Sequence, residues 1–433
     1  MTTQIIMRAI IATSLGILAT PVLFPPAYAE EWFMAPLLRL SYEQNDNYRL
    51  TLQPHNTVQG TIIAPRLDMG VRSEVWDITG SAEVARARYS GEPGLDRDFQ
   101  TFRLASLFRT ERSNFTINAS RVNDASISGD QQDSDLGLAT TQKSRRTENI
   151  QPVWSWIITE RAQLQLGYQF SKVSYVDGES VGLYNYQSRA ATATLSYLVS
   201  PLTKLFFTAN YSKYRVPDAN YINSIAFDGA LTVVSTVTDV ESRTPAFRMG
   251  VNHNFSETMQ GTLAFGRRKT ETERITSDCL YVFNSLLGCF PGKLAADNTG
   301  TIFSGDLTKK YEKLNITASA SRDLAASGSA TQVDTDTLYV QLGYPFASRF
   351  QGILTATGVN ARSISDTTAT ATDTNRRYYS IEPKLVWQWT RDADLDLTYR
   401  YFHLKRENEA QAVQARVVSL TLNYTWPRFS VSR

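Results

Sequence analysis

The stretch VVSLTLNYTWPRF, which runs from Val417 to Phe429 near the end of the chain, alternates apolar and polar side chains. From Val418 onward, one side of an extended backbone carries the apolar residues, which are Val418, Leu420, Leu422, Tyr424 and Trp426. The other side carries Ser, Thr and Asn. Alternation with a period of two is typical of a β-strand with one dry and one wet face. The dry face could pack against a second sheet of a soluble protein, or it could contact lipid.

The same alternation recurs along most of the chain, and no sustained helical period follows residue 29. Clear examples cover residues 163–170, 191–199, 314–321, 338–344, 381–389 and 395–401. Short polar breaks lie between such segments at 72–77, 110–113, 159–162, 200–203, 256–259, 309–314, 346–349 and 391–394. Longer breaks rich in Asp, Asn, Ser, Thr and Gly occupy 44–56, 127–144, 217–244, 276–298, 324–333 and 365–375.

Short turns that alternate with long polar loops are typical of a transmembrane, antiparallel, up-and-down β-barrel. The eight short breaks predict nine hairpins and therefore about 18 strands, with 16 possible, and both termini at the short-turn end. A soluble β-sandwich or propeller is the alternative. Strands of soluble sheets are commonly about 5–6 residues long, whereas alternating runs here reach nine residues. The sequence therefore favours an all-β membrane barrel whose dry face contacts lipid.

Large aromatic side chains cluster beside the short breaks, on the dry faces of the segments. Trp and Tyr are enriched where a membrane protein crosses the membrane–water interface, and barrels carry them as girdles. We therefore predict an aromatic girdle at the short-turn end, formed by Trp154, Trp156, Tyr197, Trp387, Trp389, Tyr424 and Trp426.

The N-terminal segment has the features of a secretory signal peptide. Arg8 precedes an apolar run, which leads to the small-x-small end Ala27-Tyr28-Ala29. An uncleaved membrane helix is the alternative, but three prolines in this segment interrupt the run. We expect residues 1–29 to be the signal peptide and residues 30–433 to form a barrel in the outer membrane of a Gram-negative bacterium.

The mature protein is expected to begin at Glu30. The intact mass of protein purified from cell envelopes measures this directly, because cleavage after Ala29 removes a defined set of residues. A mass that retains residues 1–29 would contradict the expectation.

Composition and motifs argue against several function classes. The chain has 44 Lys and Arg against 42 Asp and Glu, a formal charge of +2, so nothing predicts a nucleic-acid partner. Three dispersed histidines do not suggest a metal site, and we expect no metal and no cofactor. The sequence GESVG at 178–182 matches the nucleophile elbow of hydrolases, but that motif works only between a strand and a helix. We interpret it as a loop between two strands and predict no enzyme activity.

Charged residues at wet-face positions are predicted to line a pore, where opposing charges set selectivity. They are Glu83, Arg103, Arg248, Glu382, Lys384, Asp396 and Arg400. The alternative is that these charges pair with one another and fill the interior. Residues 217–244 are apolar enough to fold inward as a constriction. A disulfide between Cys279 and Cys289 would pin the base of the loop at 276–298, and either loop could plug the pore.

Several short features resemble one family of β-barrel porins. They are NDNYRL at 45–50, the recurring turns of TER type, and Tyr424-Thr-Trp426-Pro at the end of the last alternating stretch. Together they resemble the outer-membrane porins associated with exopolysaccharide operons of PEP-CTERM type. The similarity is spread over most of the chain after residue 29, but its motifs are short.

The resemblance implies a channel, a passive conduit for hydrophilic solutes or for exported exopolysaccharide. A structural or adhesion barrel with a plugged lumen is the first alternative, and an outer-membrane hydrolase is the second, less favoured one. The expected partners are outer-membrane lipid and lipopolysaccharide, the barrel-assembly machinery and polysaccharide export proteins. One departure concerns the C-terminus, because the insertion signal of outer-membrane proteins usually ends on an aromatic residue. Here Phe429 is followed by SVSR, so either the signal is internal or the tail is tolerated.

Overall fold

The computed structural model describes residues 30–52, 56–126, 142–227, 231–282, 285–364 and 375–432. The side chains of residues 218–238, 278, 281–282 and 285 are not described. The predicted signal peptide, residues 1–29, lies outside the described residues, and its cleavage stays a prediction. Within the described ranges, no helix has the length and apolar character needed to cross a membrane.

Eighteen long strands and one short C-terminal strand make up almost all of the described chain. They are β1 (Glu31–Asn45), β2 (Val58–Arg72), β3 (Trp76–Ser90), β4 (Arg97–Arg109), β5 (Ser113–Ala125), β6 (Ser144–Ile157), β7 (Ala162–Tyr175), β8 (Tyr186–Ser200), β9 (Thr203–Phe227), β10 (Leu231–Ser256), β11 (Met259–Val282), β12 (Ser285–Lys310), β13 (Asn315–Ala326), β14 (Gln332–Ala347), β15 (Phe350–Ser363), β16 (Arg376–Gln388), β17 (Ala393–Arg406), β18 (Val413–Thr425) and β19 (Phe429–Ser432).

The strands form one closed antiparallel barrel. Each strand pairs with its neighbours in the chain, and β1 pairs with both β2 and β18. All eight predicted short turns join consecutive strands, so the fold class and the strand count are confirmed. The pairing of β1 with β18 closes the ring, although the extensions of β9 beyond Arg215 and of β12 before Phe303 pair on one side alone.

The C-terminal tail takes part in this closure. Beyond β18, the four residues of β19 pair with Glu31 to Met34 at the start of β1. Arg428 reinforces the seam, because its guanidinium lies 2.7 Å from the carboxylate of Glu31 and 4.1 Å from the ring centre of Phe33. Residues 429–432 therefore contribute to the seam, which is the place where the two ends of the sheet pair and close the barrel.

Two segments that the sequence analysis treats as loops are extensions of strands. Residues 217–227 and 231–244 continue β9 and β10 as paired strands, and residues 276–282 and 285–298 continue β11 and β12. β-Branched residues such as those in LTVVSTVTDV (231–240) favour the extended ladder, which outweighs the turn-like Ser, Thr and Asp content. Strands β9–β12 are therefore longer than their neighbours β8 and β13. The pairing of β8 with β9 ends at Gln187, and the pairing of β13 with β12 ends at Arg322.

The disulfide joins Cys279 of β11 to Cys289 of β12, which lie directly opposite each other. It therefore lies near the tip of the β11–β12 hairpin. The expectation that it pins the base of a loop was wrong, because the surrounding residues belong to the strands.

The outer face of the barrel is apolar. Large side chains such as Phe102, Leu104, Phe247 and Met249 are exposed, and they alternate with polar residues that face the interior. The predicted girdle residues are all exposed on this face, at or next to the short turns. Trp154 stacks on Trp156, and other exposed aromatics at this end include Trp76, Phe255 and Phe346.

Removing residues 429–433 is expected to weaken the barrel, because the first four residues of β1 lose one of their two partner strands and keep only β2. The measurement is the temperature at which the folded barrel loses its compact migration in an unboiled gel, and we expect a decrease of several degrees. Removal of Arg433 alone, which lies beyond β19, serves as the control. Equal stability of the two truncated proteins would show that the β1–β19 pairing contributes nothing.

Candidate functional site in the barrel lumen

The seven predicted pore-lining residues lie at interior positions. Arg103 stands between exposed Phe102 and Leu104, and Arg248 stands between exposed Phe247 and Met249. The same alternation assigns Glu83, Glu382, Lys384, Asp396 and Arg400 to the interior.

Most of these charges have an ion-pair partner on a nearby strand. Lys384 contacts Asp396 at 2.7 Å, and Arg400 contacts Glu382 at 2.5 Å. Glu83 contacts Arg39 of β1 at 2.8 Å, a residue that the sequence analysis did not include. The alternative in which lumen charges pair with one another therefore holds for five of the seven residues.

Arg103 and Arg248 differ from the other five. In the part of the chain that the structure describes, neither guanidinium has an ion pair or a hydrogen bond. Both stand at interior positions of their strands. They are therefore the two predicted residues whose charge is available to a solute.

The lumen has two chemically different walls. The charged residues described above come from β16 and β17 and from β1, β3 and β4, with Arg248 on β10. The interior positions of β7–β9 are mostly Gln, Asn, Ser and Thr. Some of these groups bond across strands, as Asn210 does to Thr192 at 2.8 Å and Thr194 to Thr208 at 3.0 Å. The neutral wall can exchange hydrogen bonds with water or with uncharged polar solutes.

The loop between β1 and β2 folds inward over the charged wall. Leu50 packs into a buried cluster on the inner face of β15–β18, whose other members are Val359, Tyr378, Phe402, Leu404, Val413 and Ala415. Asn47 holds the loop, since its Nδ2 donates to the carbonyl oxygens of Thr51 and Gln414, each at 2.9 Å. Arg406 of β17 donates to the carbonyl oxygen of Leu50 at 3.1 Å.

The loop between β13 and β14, residues 327–331, crosses part of the interior. The Tyr214 hydroxyl of β9 donates to the carbonyl oxygen of Ser327 at 2.6 Å, and the Tyr184 amide donates to that of Gly328 at 2.7 Å. Strands β10–β12 separate β9 from β13 in the sheet, so this contact has to pass through the lumen. Gly328 permits the close approach, because a Cβ there would lie 2.9 Å from the Tyr175 hydroxyl.

Both inward loops contain a buried residue in the left-handed backbone region. Leu50 has φ of 52° and Ala330 has φ of 59°, and both side chains are buried. A non-glycine residue in this conformation costs about 1–2 kcal/mol. Their apolar contacts hold the strained backbone in place, which marks the two loops as specific features of the lumen.

The structure therefore assigns the narrowing of the lumen to other loops than the sequence analysis did. Residues 217–244 were expected to form the constriction, but the described part, residues 217–227 and 231–244, extends β9 and β10 as paired strands. The loops that do fold inward are short. Their anchors lie far away in the sequence, 356 residues from Leu50 to Arg406 and 113 residues from Tyr214 to Ser327.

The chemical motifs considered in the sequence do not form a site. GESVG lies in the β7–β8 loop as a single 3-10 turn, Glu179–Val181. The exposed Ser180 hydroxyl donates to the carbonyl oxygen of Asp177 at 2.8 Å, which is a local turn contact. Within the described ranges, no three His, Cys, Asp or Glu side chains are grouped so that they could hold a metal ion.

No protein-family model matches the chain, and no curated protein sequence matches it. Among solved structures, Acinetobacter baumannii OccAB4 is 10% identical over 92% of this chain and 98% of that chain, with a TM-score of 0.42. Pseudomonas aeruginosa OccK5 (OpdH) is 9% identical over 92% and 98%, with a TM-score of 0.41. The FrpB iron transporter from Neisseria meningitidis is 8% identical over 90% and 81%, with a TM-score of 0.45. Likeness at this distance assigns no function to this chain.

Replacing Tyr214 with Phe is expected to loosen the 327–331 loop, because it removes the hydroxyl that bonds to Ser327. A buried hydrogen bond contributes about 1 kcal/mol, so the open population of the loop should rise roughly fivefold to tenfold. In single-channel recordings, this change should appear as more frequent transitions between conductance levels.

Tyr168→Phe is the matched control for this experiment. Tyr168 is exposed on the outer face, and within the described residues its hydroxyl has no partner. If both variants record like the unmodified protein, the bond between Tyr214 and Ser327 does not control the lumen.

Proposed function

We propose that the protein is an outer-membrane β-barrel channel of a Gram-negative bacterium and a passive conduit for hydrophilic solutes. The observation that carries the proposal is the division of the closed barrel into an apolar outer face and a hydrophilic interior face. Lipid on the outside and water on the inside suit this division.

The outer face supports a membrane location. An apolar surface that surrounds the barrel is far larger than the patches that soluble monomers expose. Exposed Trp, Tyr and Phe side chains concentrate next to the short turns, where a membrane interface would lie. Pairing within the closed barrel gives the backbone N–H and C=O groups hydrogen-bond partners, which hydrocarbon cannot supply.

The interior supports a conducting lumen. Side chains fill a barrel of about eight strands, whereas barrels of 16–18 strands leave an aqueous channel. The inward loops cover parts of the walls, and the paired charges lie along the walls at cross-strand positions. The buried clusters that hold the two loops share no residue, and a passage between the loops is part of the proposal.

Exported exopolysaccharide is the solute that we propose within this class. Two observations support it: the resemblance of the sequence to porins associated with exopolysaccharide operons, and the neutral amide and hydroxyl wall of β7–β9. Sugar hydroxyls exchange hydrogen bonds with such groups without needing a counter-charge. Lipopolysaccharide, the barrel-assembly machinery and polysaccharide export proteins are the proposed partners.

A structural or adhesion barrel with a plugged lumen is the second candidate. The anchoring of two loops inside the barrel favours it, because each loop is held by buried apolar contacts and by hydrogen bonds. We propose no enzymatic activity for either candidate.

Single-channel conductance of the refolded mature protein in a planar bilayer separates the two candidates. A passive channel should give steps of nanosiemens size that scale with salt concentration. Silence from protein shown to be folded and inserted would contradict the free channel and favour the plugged barrel. Loss of conductance on adding an acidic or neutral polysaccharide to one side would support the proposed solute.

A further inference from the structure

A concave pocket on the interior of β2–β5 gathers three arginines. Its volume is about 520 Å³, and its lining includes Arg66, Arg72 and Arg103 together with the polar side chains of Ser81, Asn118 and Ser120. Asp68 is the acidic side chain in the lining. The pocket opens into the proposed water-filled lumen, on the charged wall.

Arg103 lines this pocket, and among the described residues no carboxylate pairs with it. Its direct cross-strand neighbours are Ser81 on β3 and Ser120 on β5, whose side chains cannot neutralise it. The pairing places Asp68 opposite Ser81, one strand further away. Across the sheet, Ser81 therefore lies between Arg103 and the carboxylate of Asp68, and its short side chain is neutral.

The carboxylates near Arg103 are already occupied by other arginines. Glu83, which is diagonal to Arg103, contacts Arg39 at 2.8 Å. Asp68 contacts Arg66 at 2.8 Å, and Asp77 contacts Arg72 at 3.6 Å. Of the three guanidiniums in the pocket, those of Arg66 and Arg72 each have a carboxylate partner. The positive charge of Arg103 is therefore not neutralised.

Other hydrogen-bond donors around Arg103 are also unused. In the described part of the chain, the side chains of Ser81, Asn118 and Ser120 have no hydrogen-bond partner. Two hydroxyls, one amide and one guanidinium therefore surround the same space. An oxyanion is the ligand that these donors would satisfy together, because a guanidinium binds carboxylate or phosphate through two parallel N–H bonds.

We propose that this pocket is an anion-binding subsite in the lumen, which takes a carboxylate or phosphate group carried by a solute. Arg103 provides the central contact, Arg66 and Arg72 add positive potential, and the serine hydroxyls complete the donor set. The subsite deepens the proposed channel function and rests on it, because solutes reach the pocket through the lumen. It gives the wall at β2–β5 a preference for acidic solutes, whereas β7–β9 form a neutral wall.

Citrate and inorganic phosphate are the two test anions, because one carries carboxylate groups and the other is a phosphate. Each is added to one side of a bilayer that contains the full mature protein in potassium chloride. The concentration that halves the current is measured for the unmodified channel and for Arg103→Ser. Charge-assisted hydrogen bonds are the stronger kind, so Arg103→Ser should raise this concentration about tenfold or more.

Arg248→Ser is the matched control. It removes the same unit of unpaired positive charge from the lumen, but Arg248 lies on β10, where its cross-strand neighbours are Thr208 and Gly266. We expect this variant to lower overall anion preference and to leave the blocking concentration within about twofold of the unmodified channel. Equal weakening by the two variants would overturn the subsite, because net lumen charge alone would then explain the block.

Two further measurements keep the result interpretable. Arg103→Lys preserves the charge and removes the bidentate fork, so its block should lie between those of the unmodified channel and Arg103→Ser. If the unmodified protein does not conduct, calorimetric titration of citrate into the folded protein in detergent tests the pocket by itself. Binding that Arg103→Ser abolishes and Arg248→Ser retains would support the subsite even though the channel proposal fails. Absence of binding in the unmodified protein would refute it.

Discussion

Closure of the sheet is the constraint on which the rest of this structure depends. A β-strand leaves half of its backbone groups unpaired unless both neighbours are present, and hydrocarbon offers no water to replace them. The chain meets this requirement by pairing β1 with β2 on one side and with β18 and β19 on the other. The short β19 extends the seam to the first residues of β1, and Arg428 holds it there through Glu31 and Phe33.

Closure also gives the side chains two separate environments. Because successive residues of a strand point to opposite faces, each polar residue between two apolar ones is directed into the lumen. Interior charges then meet at cross-strand positions, as Lys384 and Asp396 do. Where the paired positions on both neighbouring strands are serines, as Ser81 and Ser120 are beside Arg103, the charge remains without an ion-pair partner. The distribution of free and paired charges around the lumen is therefore a consequence of strand register.

The inward loops are held by long-range contacts, whereas the barrel wall is held by the pairing of neighbouring strands. Each is short, and each is held by a few contacts with strands that are distant in the sequence, such as Leu50 against β15–β18 and Ser327 against Tyr214. Both include a residue with positive φ that local preference disfavours. In contrast, residues 217–227 and 231–244, and likewise 276–282 and 285–298, extend the wall as paired strands. In β10, β-branched residues such as Val233, Val234 and Thr236 favour this ladder.

The sequence by itself determined the all-β barrel, the approximate strand number, the short turns and the face of each strand, because these depend on a period of two and on local turn chemistry. The same parity predicts which residues face the lumen. Only the tertiary structure decided which charges pair, that Arg103 and Arg248 do not, which loops enter the lumen, and that the tail completes the seam. Those features arise from register between strands and from contacts across the interior, and no local pattern encodes either.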